Sequence, residues 1–213
     1  MTEIGRTRNR RGEGGRLRGE IVNAALHFID EHGDPAALSL RAVARTAGIS
    51  APAIYDHFTG LDAVREAALE ECFAALRATV VSAVADAGDP VAALTSAASA
   101  YLGFARQYPA RYRLMFAADG YADNAVETFR VVERTIAACV SAGLSTSADP
   151  RVDAWMVWAA LHGVATLDKP SRTEMLKLGT LDRPNMLRAM VLRLAGIAGD
   201  EEVRPNGLEL LTF

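Results

Sequence analysis

An all-α fold of about nine helices is what this chain's residues predict, and three observations carry that expectation. Half of the 213 residues are apolar, with alanine abundant, a composition that favours helix. Apolar residues recur at three- and four-residue spacing along most of the chain, and no segment of any length alternates as a strand would. Glycines and prolines punctuate these periodic stretches where helices need to end or begin. The length permits a sizeable core, as one domain or as two smaller ones.

Taken in order, residues 1–15 hold Gly5, Gly12, Gly14 and Gly15 and almost nothing apolar, so a flexible arm is expected there. From Arg16, the spacing of Ile21, Ala25, Phe28 and Ile29 predicts a helix that Gly33 closes. Ser39 is placed to cap a second helix whose inner face is Leu40, Val43, Ala44 and Ala47. Ala47-Gly48-Ile49-Ser50 then makes a turn. Gly48 stands where a positive φ is needed, and Ser50 where a short third helix needs its N-cap. These three helices form a small domain over 16–60.

A long helix is expected from Asp62, with Val64, Ala68, Cys72, Ala75, Leu76 and Val80 along one side, ending near Ala87-Gly88. Asp89-Pro90 opens the next, which runs over 94–108 until Pro109 forces a break before a helix at 110–116. A turn at Asp119-Gly120, a helix over 126–140 and a loop from Gly143 through 145–149 follow. The stretch 152–167 is apolar on nearly every face, so it should be buried all round. Its small residues Ala159, Ala160, Gly163 and Ala165 would let another helix come close. Ser171-Arg-Thr-Glu174 is a capping-box pattern for a short helix, and a last helix follows Pro184 with Met186, Met190, Val191, Leu194 and Ile197 in a stripe. A helical body over 61–200 and a tail at 201–213 complete the plan.

Charge is unevenly placed. Residues 1–18 carry six arginines against two glutamates, an excess of four positive charges on a chain whose formal net charge is −3. The rest of the chain therefore carries −7. No apolar run reaches the roughly 20 residues that span a bilayer, and no apolar stretch follows the N-terminal charges as in a secretory signal. A cytoplasmic location is expected. Cys72 and Cys139, without a nearby His pair, suggest neither a disulfide nor a zinc site, and reduced, buried thiols are expected. Without a Gly-rich phosphate loop, a metal-spaced cluster or a nucleophile motif, no catalytic residue, metal or cofactor is predicted.

The stretch 38–64, LSLRAVARTAGISAPAIYDHFTGLDAV, resembles the DNA-binding domain of TetR-family transcription regulators. The match runs from Arg18 through Ala24-Ala25, Phe28, Gly33, Ser39-Leu40, Val43-Ala44, Ala47-Gly48-Ile49-Ser50, Ile54-Tyr55 and His57-Phe58 to Val64. Further on, Trp158-Ala-Ala-Leu-His162-Gly163 resembles the Trp-x-x-x-His-Gly signature of one C-terminal subgroup. The resemblance implies a helix-turn-helix reader on a larger helical body, and a partner in double-stranded DNA.

In such a reader Ser50 caps the recognition helix, and Ala51, Pro52 and Ala53 form the turn that meets the groove. With no Arg, Lys, Asn or Gln before Tyr55, that helix lacks bidentate base readers, and its small apolar groups can meet thymine methyls instead. Tyr55 and His57 match positions that contact the DNA backbone, and Arg41 a position that reaches phosphate or a base edge. Leu61 departs from the family, which places Lys there, so one phosphate contact per subunit is missing. The arginines of the arm suit a narrow minor groove, or form a solvated tail.

In the body, Tyr101, Phe104, Tyr112, Met115, Phe116, Trp158 and His162 are the candidate lining of a small-molecule cavity, or plain core. Trp155, Ala159, Gly163, Met190, Leu194 and Ile197 are the candidate seam of a homodimer built as a four-helix bundle. The resulting expectation is a ligand-responsive, DNA-binding repressor released from a near-palindromic operator by a mainly apolar effector. Two other readings stay open: a non-specific DNA-coating protein, and an all-α small-molecule carrier or enzyme with a vestigial reader.

Overall fold

The computed structural model describes residues 14–117, 123–167 and 183–198. Its helices are α1 (Gly14–His32), α2 (Leu40–Ala47), α3 (Ala51–Tyr55), α4 (Leu61–Ala85), α5 (Pro90–Gln107), α6 (Pro109–Ala117), α7 (Asp123–Ser141), α8 (Pro150–Leu167) and α9 (Arg183–Leu194). One short 3-10 turn, Pro35–Ala37, joins α1 to α2. The fold is all-α, with nine α-helices among the described residues. Because α1 begins at Gly14, the last two residues of the stretch expected as an arm are helical. The rest of the arm, the turn at Asp119-Gly120, the capping box at 171–174 and the tail at 201–213 lie outside the described residues.

The chain divides into two compact units. Described residues 14–73 and 108–117 make the first, and 74–107, 123–167 and 183–198 the second. The first is thus larger than the three helices at 16–60, since the start of α4 and all of α6 join it.

In the first unit, Ile21, Ala25, Phe28 and Ile29 of α1 are buried with Val43, Ile54, Phe58, Val64 and Phe73. Each of these side chains larger than alanine contributes on the order of 1.5–3 kcal/mol by leaving water. α6 is fastened to α1 by polar contacts. The Arg111 guanidinium forks onto Asp30, Nε donating to Oδ1 and Oδ2 at 3.0 Å and Nη2 to Oδ2 at 2.6 Å. Arg113 donates to the carbonyl of Gly33, at the end of α1.

The second unit packs α5, α7, α8 and α9 together. Its core includes Leu94, Tyr101, Leu102 and Phe104 of α5, Ile136 and Cys139 of α7, Val157, Trp158 and Leu161 of α8, and Val191 of α9. The loop before α8 is pinned to the end of α9: Thr146 N–H donates to Gly196 O at 2.8 Å and Ser145 Oγ to Ala195 O at 2.6 Å. Gly196 has φ +63°, and a Cβ there would stand 2.9 Å from Thr146 Oγ1, so only glycine suits this junction.

On the single chain, α8 is covered on one side. Ala154, Val157, Trp158 and Leu161 face the core, whereas Val152, Trp155, Met156 and Ala159 are exposed, with Trp155 58% accessible. The physical reason is geometric: among the described residues, α5, α7 and α9 pack on this helix, and they do so from one side.

Candidate DNA-recognition surface and effector unit

The helix-turn-helix is built by local chemistry. Ser39 Oγ accepts the Ala42 N–H at 3.2 Å, which satisfies an orphan donor at the start of α2. α2 ends at Gly48, whose φ of +64° is left-handed; its N–H donates to Arg45 O at 3.2 Å and Ile49 N–H to Ala44 O at 3.0 Å. This reversal aims α3 away from α2. Ser50 occupies the N-cap position of α3 as expected, but its hydroxyl makes no capping hydrogen bond. Its carbonyl accepts the Ala53 N–H at 3.0 Å, so backbone geometry and Pro52 in the first turn start this helix.

Ile54 and Phe58 are buried beneath α3, and the Arg18 guanidinium lies 4.7 Å above the Phe58 ring. The opposite side is open. Tyr55 is 60% accessible, Pro52 is exposed, and Ala51, Ala53 and His57 are half-buried. Arg41 is exposed on α2. So is Arg45, one helical turn further on, which sequence reasoning passed over although its i,i+4 spacing from Arg41 puts both cations on one face. The exposed groups of α2 and α3 thus include small apolar side chains, a phenol and cations, residue types suited to a groove flanked by phosphates.

The expected ligand residues fall into two clusters. In the second unit, Tyr101 meets Trp158 edge-on with ring centroids 5.4 Å apart, and Phe129 meets Trp158 at 6.3 Å. Phe104 is buried in the same unit, and His162 is half-buried, its pKa pushed below the ordinary value by burial. In the first unit, Tyr112 and Phe116 are 4.7 Å apart, Phe116 is edge-on to Phe73, and Met115 is fully buried.

A cavity of ≈ 130 Å³ opens elsewhere in the second unit, bounded by α5, α8 and α9. Leu102, Arg106, Val164 and Leu187 are among its walls, a set that periodicity alone does not single out. Among the seam residues, Trp155 and Ala159 are exposed, and Gly163, Met190 and Leu194 are half-buried. Ile197 is buried within its own unit, because the chain turns at Gly196 and carries it inward; on the single chain it is not a surface residue. Both thiols are buried: burial pushes Cys72 up to about 12 and raises Cys139 as well. Among the described residues, no helix is long and apolar enough to cross a membrane.

A helix-turn-helix with its second helix exposed, in one chain with a further helical unit, defines a DNA-binding transcription regulator. Family models support that class along most of the chain. Residues 21–68 match bacterial regulatory proteins of the tetR family, and residues 94–194 match the tetracyclin repressor-like C-terminal domain. The chain belongs to the TetR family of transcription regulators.

Solved structures share the fold. A Rhodococcus sp. RHA1 protein of unknown function is 27% identical, with a TM-score of 0.71 over 90% of this chain and 100% of that one. A tetR-family regulatory protein from Rhodococcus RHA1 is 22% identical, with a TM-score of 0.65 over 86% of this chain and 99% of that one. RolR, solved with resorcinol, shares the fold at 13% identity, with a TM-score of 0.63 over 89% of this chain and 92% of that one. Among curated proteins no sequence matches.

Proposed function

We propose that this regulator is a homodimeric repressor that leaves a near-palindromic operator when a small, mainly apolar effector enters its second unit. The observation that carries the reading is the uncovered stripe of α8, where Val152, Trp155 and Met156 stand in solvent. An indole more than half exposed within an apolar stripe favours burial against a second copy. Ala159 and Gly163 of α8, with Met190 and Leu194 of α9, extend that face as a four-helix seam.

Dimerisation matters to recognition. A five-residue helix with no bidentate base reader before Tyr55 offers few base contacts, so two copies in successive major grooves are needed for specificity. In each copy Arg41, Tyr55 and His57 hold phosphates, while Ala51, Pro52 and Ala53 meet base edges and Ser50 leads the helix toward the backbone.

RolR, a protein of like fold, was solved with resorcinol, which supports a small-molecule effector here. Tyr101, Phe104, Trp158 and His162 are its candidate neighbours. An effector that favours one conformation shifts the population toward it by no more than its differential affinity, typically ~1–3 kcal/mol.

Selection of DNA from a random pool by the purified chain tests this reading. An inverted repeat, bound by a dimer and released by one member of a panel of small aromatic and aliphatic compounds, is the expected result. A pool with no enriched sequence makes the protein a non-specific DNA binder instead.

A further inference from the structure

We propose that the cavity bounded by α5, α8 and α9 binds a small organic monoanion, with Arg106 holding the carboxylate and an apolar body lying against Leu102, Val164, Met186 and Leu187. Its regulatory meaning rests on the effector reading above; its chemistry does not.

The first argument is size. The cavity measures ≈ 130 Å³, and an apolar cavity of about 150 Å³ is known to admit a benzene ring. Its walls are mostly hydrocarbon, with Leu102 and Leu187 buried beneath and Met186 able to adapt its shape. Water gains little in such a space, so an apolar body displaces it at small cost.

The second argument is charge. Arg106 and Ser99 supply the polar side chains of the lining among the described residues, and no acidic residue is among them. Three arginines lie near the aromatic middle of the chain, and their circumstances differ. Arg111 is forked onto Asp30, and Arg113 donates to Gly33 O. Arg106 lies at the cavity, exposed, with no hydrogen bond or ion pair among the described residues. A planar guanidinium with its donors free matches a carboxylate two bonds at a time. One cation, with no second basic residue in the lining among the described residues, suits a monoanion better than a phosphate dianion.

Benzoate and its neutral isostere benzamide separate charge from shape. In calorimetric titration of the full chain, benzoate should bind at least about tenfold more tightly than benzamide, since a charge-assisted pair is lost with the amide. Arg106→Gln should bring benzoate down to the benzamide level and leave benzamide unchanged, and Arg106→Lys should restore part of the difference. Leu102→Trp, which fills the cavity, should abolish both. The proposal is overturned by equal affinities, by an Arg106→Gln variant that binds benzoate normally, by binding that survives Leu102→Trp, or by no binding at all. Affinity that falls as the protein associates with rising concentration would mean that a second copy occupies the groove, which also overturns it. Operator release is read separately. Arg106-dependent binding without release keeps this site and removes its regulatory role, whereas release by another compound without benzoate binding removes the site and keeps the effector reading.

Discussion

Ser39 and Ser50 stand in the same position before consecutive helices, yet only Ser39 uses its hydroxyl to cap. Ser39→Ala should therefore cost about 1 kcal/mol in urea denaturation, and Ser50→Ala a few tenths at most. An equal loss from both would mean that the hydroxyls act alike. Tyr55 and Arg41 are exposed, so their alanine variants should keep the melting temperature while weakening operator binding by about tenfold each, as lost charged or phosphate-directed hydrogen bonds do. Fluorescence anisotropy with the selected operator measures the second effect and differential scanning calorimetry the first. Cys72 makes a prediction about alkali. Its pKa rises from 9.0 to about 12, through burial first and then the neighbouring carboxylates Asp30 and Glu71, with Arg111 opposing. Well below pH 9 the thiol keeps its proton whether the chain is folded or not, so its contribution is fully present. Above that, the unfolded thiol ionises first and stability falls as pH rises toward about 12. Cys72→Ala should flatten that part of a stability–pH profile, and an unchanged slope would assign it to other groups.

Among the elements, α6 is the one whose partner is least evident from its own residues. It lies some eighty positions from α1 in sequence, yet Arg111–Asp30 and Arg113–Gly33 bind it there within the first unit. The Asp30 carboxylate pushes the Arg111 pKa up despite partial burial, a sign that the fork favours the charged form. Both side chains of the pair keep some solvent access, so screening limits its worth. Arg111→Ala should cost roughly 1 kcal/mol, and Arg111→Lys should recover less than half, because a point charge cannot bind both oxygens in the plane of the fork. Chemical denaturation at low and high salt is the measurement, and the difference between variants should shrink with salt. A loss independent of salt would point to packing of the Arg111 stem over the Tyr108 ring, 4.7 Å from the guanidinium.

For the molecule as a whole, the proposed seam on α8 and α9 makes a prediction about behaviour in solution. Light scattering at micromolar concentration should give twice the chain mass. Leu194→Asp should move the equilibrium toward monomer, since an unpaired carboxylate in a dry seam is strongly unfavourable. A monomer mass for the unaltered chain would remove the seam and, with it, the paired readers. Because a monomer carries one five-residue recognition helix, the variant should also lose sequence preference before it loses all affinity for DNA.

Residues close in sequence made much of this protein legible beforehand. The periodicity of Ile21, Ala25, Phe28 and Ile29, the cap at Ser39 and the left-handed turn at Gly48 are local devices, and they stand where spacing placed them. The break at Pro109 and the start at Asp89-Pro90, where Asp89 Oδ1 accepts the Ala92 N–H at 2.8 Å, are local in the same way. Tertiary structure alone decided which apolar residues are covered and which charges are paired. Periodicity marks a helix face as apolar but cannot say whether a neighbour reaches it, so Trp158 is buried and Trp155 exposed on one helix. It likewise cannot say that Arg111 meets Asp30 while Arg106 borders a cavity, since those outcomes depend on contacts between segments far apart in the chain, which local spacing does not encode.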